Sequence, residues 1–583
     1  MIEGDPLSSV LHIDLSRRRF CVVNREQLFE NHIGGAGVAI NLLKEECPKG
    51  ANPLGPENPM VFAVGPLTGI FPIASKTVAM FKSPHTGNLG ESHAGGRSAV
   101  AIRMAGYGAI VVKGASSTPV YLVIQRGGVE FRDASALWGM TSVTAGRAIR
   151  EEEPSAGNRT IMRIGRAGEK IVSYSCVVTE TYRHFGRLGL GAVFGSKKLK
   201  AIMIAGKRSL KVKDAIQYRK TYQEIFQSLI ESLAMKKYHE LGTAMNIHSL
   251  NELGALPTRN LEAARFELAE EISGERFAEK YLGRRIACAH CPVSCIHLAT
   301  LREPYEHEKY FYKSRAICYD YEPIYAIGAM TGISSINRLL KLLEEIELLG
   351  LDAISAGVAL AWATEAQLTG LIHESDTAGL RLAWGEHDTY ARALRFLVEQ
   401  PTDFYRALAR GVDHASSIYG GEDFALAFGG NEMPGYHTGP AAYASYMTGM
   451  RHSHLDSAGY SLDQKSCLSG KMQSAEELAD DLLSEESWRQ ILSSLVICYF
   501  GREIYSTKVV LSTLRLVGYE FASDDLLTIG KETLAAKHEF KKREGFDFKK
   551  LRIPKRVLEI ASPTGQISAD YISDIVDSYY SKI

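Results

Sequence analysis

The chain has 583 residues, with 67 Lys and Arg against 67 Asp and Glu, so its formal net charge is zero. That balance removes any long-range field for nucleic acid or an anionic membrane, and neither is an expected partner. With 45% hydrophobic and 23% charged residues, the composition is that of a soluble globular protein, long enough for about three or four domains of ~150 residues.

The acidic start from Met1 to Asp5 lacks the basic and apolar regions of a signal peptide, and no run of ~18 apolar residues exists, so the expected location is cytoplasmic with no membrane span. Leu11, Ile13 and Leu15 alternate, Ser16–Arg19 makes a turn, and Phe20 and Val22 resume on a return strand. Met60–Val64 is a short buried strand stopped by Gly65-Pro66. Val120–Ile124 and Val129–Phe131 form a hairpin through Arg126–Gly128. Glycine is dense here, at Gly34-Gly35-Ala36-Gly37, Gly95-Gly96 and Gly186–Gly191, where backbone amides can approach a phosphate or a flat ligand. Gly35-Ala36-Gly37 alone is a weak dinucleotide signal, and ordinary turns are the better reading.

After Gly206 the texture changes. Ile216, Tyr222, Ile225, Phe226, Leu229 and Leu233 follow helical spacing, and Leu339–Leu349 is a second helix closed by Gly350. From residue ~210 onward the pattern is predominantly helical, and Phe428–Gly435 marks a boundary or an active-site loop. The expected division is 1–207, 208–415 and 416–583. The expected fold class is α+β: a β-rich, two-sheet N-terminal domain followed by two predominantly α-helical domains.

Cys288, Cys291 and Cys295 form a CxxCxxxC cluster within eight residues. Three thiolates so spaced can converge on one metal centre, and thiolates suit iron–sulfur clusters or zinc. Nine cysteines in a chain of this length do not make a disulfide framework and fit a reducing compartment. The order is the reverse of the CxxxCxxC of radical-SAM enzymes. A zinc knuckle lacks its second pair here, so iron–sulfur leads, with structural zinc and chance clustering as the alternatives.

These landmarks resemble the tungsten-dependent aldehyde:ferredoxin oxidoreductase family along nearly the whole chain. Pro66–Gly69, Lys82-Ser83-Pro84, Ala105–Val112, Gly186–Ile202 and Gly242-Thr243-Ala244 match its blocks in order. The cysteine cluster, Asp320-Tyr321-Glu322 and Gly350–Ser355 follow. The resemblance implies a tungsten (or molybdenum) bis-pyranopterin beside one 4Fe-4S cluster, with room for Mg2+ bridging the pterin phosphates. The segment Ser493–Cys498 resembles the one that carries the family's fourth cluster cysteine, which makes Cys498 the expected ligand and Cys467 its competitor. Lys76, His93, Gly95, Gly96, Arg183, His184 and Gly186 fall where the family binds pterin and phosphate. Glu347, Leu351, Asp352, Ser493 and Ile497 fall where it contacts the pterin. Lys76 replaces an arginine, His93 an asparagine and Glu347 an aspartate, which marks a divergent member.

The chemistry implied is hydration of an aldehyde and transfer of two electrons to tungsten, yielding a carboxylic acid. Glu322 is the expected base, and His452 the expected donor to the substrate oxygen or a metal oxo group, with His437 and His454 in reserve. Electrons leave through the 4Fe-4S cluster to ferredoxin or a dedicated iron–sulfur subunit. The alternatives are a catalytic subunit for low-potential reduction of aromatic thioesters and, in a different class, a non-redox zinc-stabilised binding protein. Some members of the family hold a bridging iron with an ExxH segment. Lys341–Glu344 has lysine at the first position and no histidine at the fourth, so no metal-bridged homodimer is expected.

Overall fold

The alternating N-terminal residues form the strands expected of them. In the computed structural model, which describes residues 2–125, 127–155, 157–180, 182–306 and 308–583, the first of these are β1 (Ser9–Asp14) and β2 (Arg19–Asn24). Met1 and Arg126, named above in the N-terminal segment and the hairpin turn, lie outside the described residues. With β3 (Met60–Ala63), β4 (Thr77–Lys82), β5 (Leu89–Ala94) and β6 (Ala109–Lys113) they make a six-stranded sheet of order β2-β1-β6-β3-β4-β5. β1 and β6 run parallel and the other pairs antiparallel.

A second six-stranded sheet has the order β11-β10-β9-β12-β7-β8. Its strands are β7 (Val120–Gln125), β8 (Gly128–Asp133), β9 (Asn158–Arg163), β10 (Val177–Thr179), β11 (Arg183–Phe185) and β12 (Leu199–Gly206). The eight residues of β12 are all buried, as suits a central strand covered on both faces. Phe62 of the first sheet meets Phe185 edge-on at 5.7 Å and Phe194 at 6.2 Å, so aromatic packing joins the two sheets.

The chain divides into two compact units. One comprises Met1–Lys236, Ala287–Val293 and Ser484–Asp547; the other comprises Lys237–Ile286, Ser294–Leu483 and Phe548–Ile583. The change of texture near residue 207 marks the end of the second sheet. The first unit nevertheless reaches past it, taking a seven-residue piece of the cysteine loop and the segment that carries Cys498. Such non-contiguous boundaries leave no mark in local composition.

Helices dominate from Ala215 onward, and the largest sheet among the described residues there is three-stranded. β13 (Leu282–Ile286), β14 (Ile296–Tyr305) and β15 (Glu308–Tyr319) form an antiparallel three-stranded sheet whose first two strands flank the cysteine segment in the chain. The expected helix at Leu339–Leu349 runs Ile336–Leu349 and ends on Gly350 at φ 79°, a left-handed cap that glycine adopts without a Cβ clash. Two residues later Asp352 caps the next helix, Ala353–Leu368, by accepting from the N–H groups of Ile354 and Ser355. The Gly350-Leu351-Asp352 motif is thus a helix stop, a buried apolar residue and a helix start.

Candidate active site and cluster ligands

In the first unit the cysteine loop is fixed by its backbone. Cys291 N–H donates to the Cys288 carbonyl at 3.2 Å, and His290 takes φ 55°, which tightens the loop between the two thiols. Ala289 N–H donates to the Gly96 carbonyl at 2.8 Å. Ile73 joins this loop to the late segment: its N–H donates to the His290 carbonyl at 2.9 Å, and its carbonyl accepts from Cys498 N–H at 3.1 Å. Lys76 N–H donates to the Val496 carbonyl at 3.1 Å. Cys498 follows the helix Ala475–Ser494, as the spacing of Ile491, Leu492 and Leu495 predicts. Cys288, Cys291, Cys295 and Cys498 are all half-buried.

Gly95 stands where these pieces meet. A Cβ on it would lie 2.9 Å from Cys288 Sγ, 3.4 Å from Lys76 Nζ and 3.7 Å from the Arg183 side chain. The lost side chain leaves bare backbone between a thiol and two cations, the arrangement a flat anionic ligand requires. A Cβ on Gly186 would meet nothing within 4 Å. Arg97, which the sequence reading passed over, follows Gly95-Gly96 and precedes the helix Ser98–Ala105. Its Nε is buried with no hydrogen-bond partner among the described residues. A guanidinium at a helix N-terminus is a phosphate-binding donor set, so these residues fit the phosphate end of a pterin. The signal was present in the sequence as Gly-Gly-Arg ahead of a helical run.

His93 and Glu91, two apart on β5, share a face, and their side chains meet at 2.7 Å. Glu91 also receives Lys537 at 2.6 Å, with both groups almost wholly buried. An imidazole held in this way is oriented by a carboxylate that is itself neutralised. Ser493 Oγ hydrogen-bonds Tyr499 at 2.5 Å, and Arg489 lies 5.1 Å over the Tyr499 ring. His184 pairs with Val178 across β10–β11, beside Arg183 opposite Thr179. The Gly35–Gly37 stretch serves close packing: a Cβ on Gly35 would fall 2.1 Å from the Ser493 carbonyl, and Gly37 N–H donates to Ser494 Oγ at 3.0 Å. The helix that opens at Gly35 therefore supports the Cys498 segment.

In the second unit Glu322 lies in the first turn of the helix Tyr321–Ile327. Thr243, from the Gly242-Thr243-Ala244 block, accepts from Tyr321 N–H at 3.0 Å and so anchors that helix start. Glu322 has one carboxylate oxygen 3.4 Å from His454 Nε2 and accepts from Gly435 N–H at 3.3 Å with the other. Gly435 ends the segment Phe428–Gly435, which folds as a short hairpin and delivers its last residue to this carboxylate. Tyr436 lies 5.1 Å from the His454 ring, and Tyr321 donates to the Gly435 carbonyl. Burial first, and the Glu322 charge second, push the Tyr321 and Tyr436 phenols well above their ordinary range, so both remain neutral donors.

The three histidines separate by their partners. His437 hydrogen-bonds Tyr443 through Nδ1 and the Ile560 carbonyl through Nε2, and burial pushes its pKa down to about 4, which makes it a neutral core residue. His452 donates Nδ1–H to the Tyr446 carbonyl at 2.8 Å, sits at φ 53°, and its ring covers Gly429. The residue that meets Glu322 is His454. Asp352 uses both oxygens on helix-start amides and the Ser355 hydroxyl, Leu351 is buried beside it, and Glu347 is half-buried on the preceding helix. Lys341 and Glu344 pair with Glu303 and Arg315 of the β14–β15 hairpin at 2.6 and 2.5 Å. Cys467 is on the helix Gly459–Ser469, where burial and then Asp463 raise its thiol pKa and disfavour the thiolate. Among the described residues no three His, Cys, Asp or Glu side chains are placed to hold a single metal ion. No helix among them is long and apolar enough to cross a membrane.

Two family models cover the chain: the aldehyde ferredoxin oxidoreductase N-terminal domain at residues 10–206 and domains 2 and 3 of the same family at residues 220–583. The chain belongs to the aldehyde ferredoxin oxidoreductase family and is an oxidoreductase of that type. It is 31% identical over 564 residues to a tungsten-containing aldehyde ferredoxin oxidoreductase of Thermococcus kodakarensis, covering 93% of this chain and 89% of that one. It is also 30% identical over 430 residues to the WOR-like subunit of an aliphatic sulfonate oxidoreductase of Pyrococcus furiosus, covering 70% of this chain and 66% of that one. Its fold matches a chain of the solved active-site complex BamBC of benzoyl coenzyme A reductase. The TM-score is 0.83 at 20% identity, covering all of this chain and 95% of that one.

Proposed function

We propose that the protein oxidises an aldehyde to a carboxylic acid on a tungsten (or molybdenum) bis-pyranopterin and passes the electrons through a 4Fe-4S cluster to an iron–sulfur acceptor. The observation that carries this reading is the Ile73 staple between the Cys288–Cys291 loop and Cys498, beside the bare backbone of Gly95. Cys288, Cys291, Cys295 and Cys498 are the cluster ligands in this reading. Lys76, Arg97 and Arg183 would hold pterin phosphates against Gly95-Gly96, with Mg2+ supplying further charge to those phosphates. When bound, the metal–pterin supplies a two-electron acceptor and the cluster a one-electron relay.

The chain's own residues manage protons and position. Glu322 accepts the proton of the water that adds to the aldehyde carbonyl, and Gly435 N–H holds the carboxylate in place for it. His454, within reach of Glu322, receives that proton and carries it outward. The neutral phenols of Tyr321 and Tyr436 keep the surroundings uncharged, so a proton on Glu322 meets no competing anion. Overall an aldehyde and one water become a carboxylic acid, two protons and two electrons. His452 shapes the loop in this reading, and the role given to it from sequence passes to His454.

The salt bridges of Lys341 and Glu344 with the β14–β15 hairpin support the absence of a bridging iron between copies. Metal analysis of anaerobically purified protein, with aldehyde-dependent reduction of a viologen dye, tests the proposal. About four irons and one tungsten or molybdenum per chain are expected. One zinc with neither heavier metal overturns it.

A further inference from the structure

The β14–β15 hairpin has a packed root and a bare tip. At the root Ile296, Leu298, Ala299, Leu301, Ile317 and Tyr319 are buried, and Tyr319 stacks on Phe277 at 4.6 Å. At the tip Tyr310, Phe311 and Tyr312 are 90%, 64% and 59% exposed. Successive residues of a strand point to opposite faces, so these rings leave both faces of the hairpin uncovered. Three consecutive exposed aromatics are the composition of an interface anchor and not of a solvated strand.

The hairpin is also held out firmly. Arg315 bridges Glu303 of the facing strand and Glu344 of the helix Ile336–Leu349, and Lys341 of that helix pairs with the same Glu303. Its first strand begins at the residue after Cys295, and β13 ends two residues before Cys288. The stretch 282–319 carries six Lys and Arg against three Glu, although the two signs balance over the whole chain. Of these cations Arg284, Arg285, Arg302 and Lys313 are exposed, and Arg285 is engaged with the His239 and Glu240 carbonyls.

We propose that this three-stranded sheet is the docking platform for an acidic iron–sulfur electron carrier, anchored by Tyr310, Phe311 and Tyr312 and steered by Arg284, Arg302 and Lys313. The inference rests on the reading of the four cysteines as a 4Fe-4S site. The excess of cations selects an acidic partner, and it disfavours two copies of the chain meeting sheet to sheet, which would bring like charges together. β13 and β14 flank the cysteine segment 287–295 directly in the chain, which is the link between the platform and the proposed cluster.

The test uses the anaerobically purified holoenzyme, reduced with dithionite and mixed in stopped flow with an oxidised acidic two-cluster ferredoxin or with benzyl viologen. No aldehyde is needed. The parent is expected to react with ferredoxin at a rate that falls at least about tenfold from low to ~0.5 M salt. Y310S/F311S/Y312S and, separately, R284E/K313E are expected to slow the ferredoxin reaction at least about tenfold and leave the viologen reaction unchanged. The charge variant alone decides the matter should the tip variant fail to fold. Ferredoxin rates within about twofold of the parent overturn the proposal. So does an unchanged ferredoxin rate accompanied by lost self-association or lost binding to anionic vesicles. A parent that lacks a four-iron signal overturns the functional reading itself, whereas a normal cluster with indifferent variants overturns only the docking surface.

Discussion

Cys498 donates its backbone N–H to the carbonyl of Ile73 at 3.1 Å, and the N–H of the same Ile73 reaches His290 at 2.9 Å. Two segments more than two hundred residues apart are thereby tied to one residue. Ile73 holds φ 57°, a costly conformation for a β-branched side chain, of order 1–3 kcal/mol. Such strain persists where the surroundings over-determine it, here through hydrogen bonds to both neighbouring loops.

The relationship makes Cys498 the fourth ligand to test. Cys498→Ser is expected to lose or convert the four-iron signal in electron paramagnetic resonance, whereas Cys467→Ser keeps it. Iron analysis gives the matching count. A full signal in the Cys498 variant together with a lost one in the Cys467 variant would reverse the assignment.

The pairing of Glu322 with His454 makes the proposed roles of the histidines separable by substitution. Glu322→Gln is expected to lower turnover at saturating aldehyde by ~10²-fold or more, with metal and cluster content intact, because in the proposed role the carboxylate moves protons and holds no metal. His454→Gln should fall by a similar factor and shift the pH profile. His452→Gln should act through stability, since its ring supports Gly429 and its Nδ1–H is given to Tyr446. Full turnover in the His454 variant and a ~10²-fold loss in a stable His452 variant would return the role to His452.

How far the sequence reached depends on whether a signal was local. Leu11, Ile13 and Leu15 alternate and the segments Ser9–Asp14 and Arg19–Asn24 fold as strands, and Ile336 to Leu349 keep a helical stripe up to Gly350. The β13–β15 sheet was hidden because Arg284, Arg285, Arg302, Lys313 and Arg315 interrupt its apolar alternation, and its register comes from pairing across the hairpin. The cysteine spacing was legible for the same reason that a loop is short. Ile73, by contrast, is an ordinary isoleucine whose role exists only in the folded backbone. The choice between His452 and His454 also lay beyond the sequence: two residues apart in one loop, they part company through Tyr446 on one side and Glu322 on the other.

Arg97 gives a prediction about cofactor retention. Its buried Nε, next to Gly95-Gly96 and without a hydrogen-bond partner among the described residues, is an arrangement that an anion would complete. Arg97→Gln is expected to reduce the tungsten or molybdenum recovered per chain at least several-fold, with iron content nearly unchanged. Gly95→Ala should do the same, since its Cβ would crowd Cys288 Sγ and Lys76 Nζ. Parent-level tungsten or molybdenum in both variants would remove this corner from the phosphate site.

His437 gives a pH prediction in which the protonation state decides the sign. Burial lowers its pKa from 6.5 to about 4 in the folded chain, while the unfolded chain titrates near the ordinary value. As pH falls, the unfolded state therefore takes up its proton first. The stability associated with a neutral His437 is complete above about pH 6.5 and is lost progressively down to about pH 4, a total of about 3 kcal/mol. His437→Gln cannot titrate. It should be less stable than the parent at pH 7, because the bonds to Tyr443 and the Ile560 carbonyl are disturbed, yet decline less steeply between pH 6.5 and 4. Denaturant midpoints across that range measure the two slopes. Parallel declines would assign the acid sensitivity to other groups, among them His538, whose pKa burial also lowers to about 4.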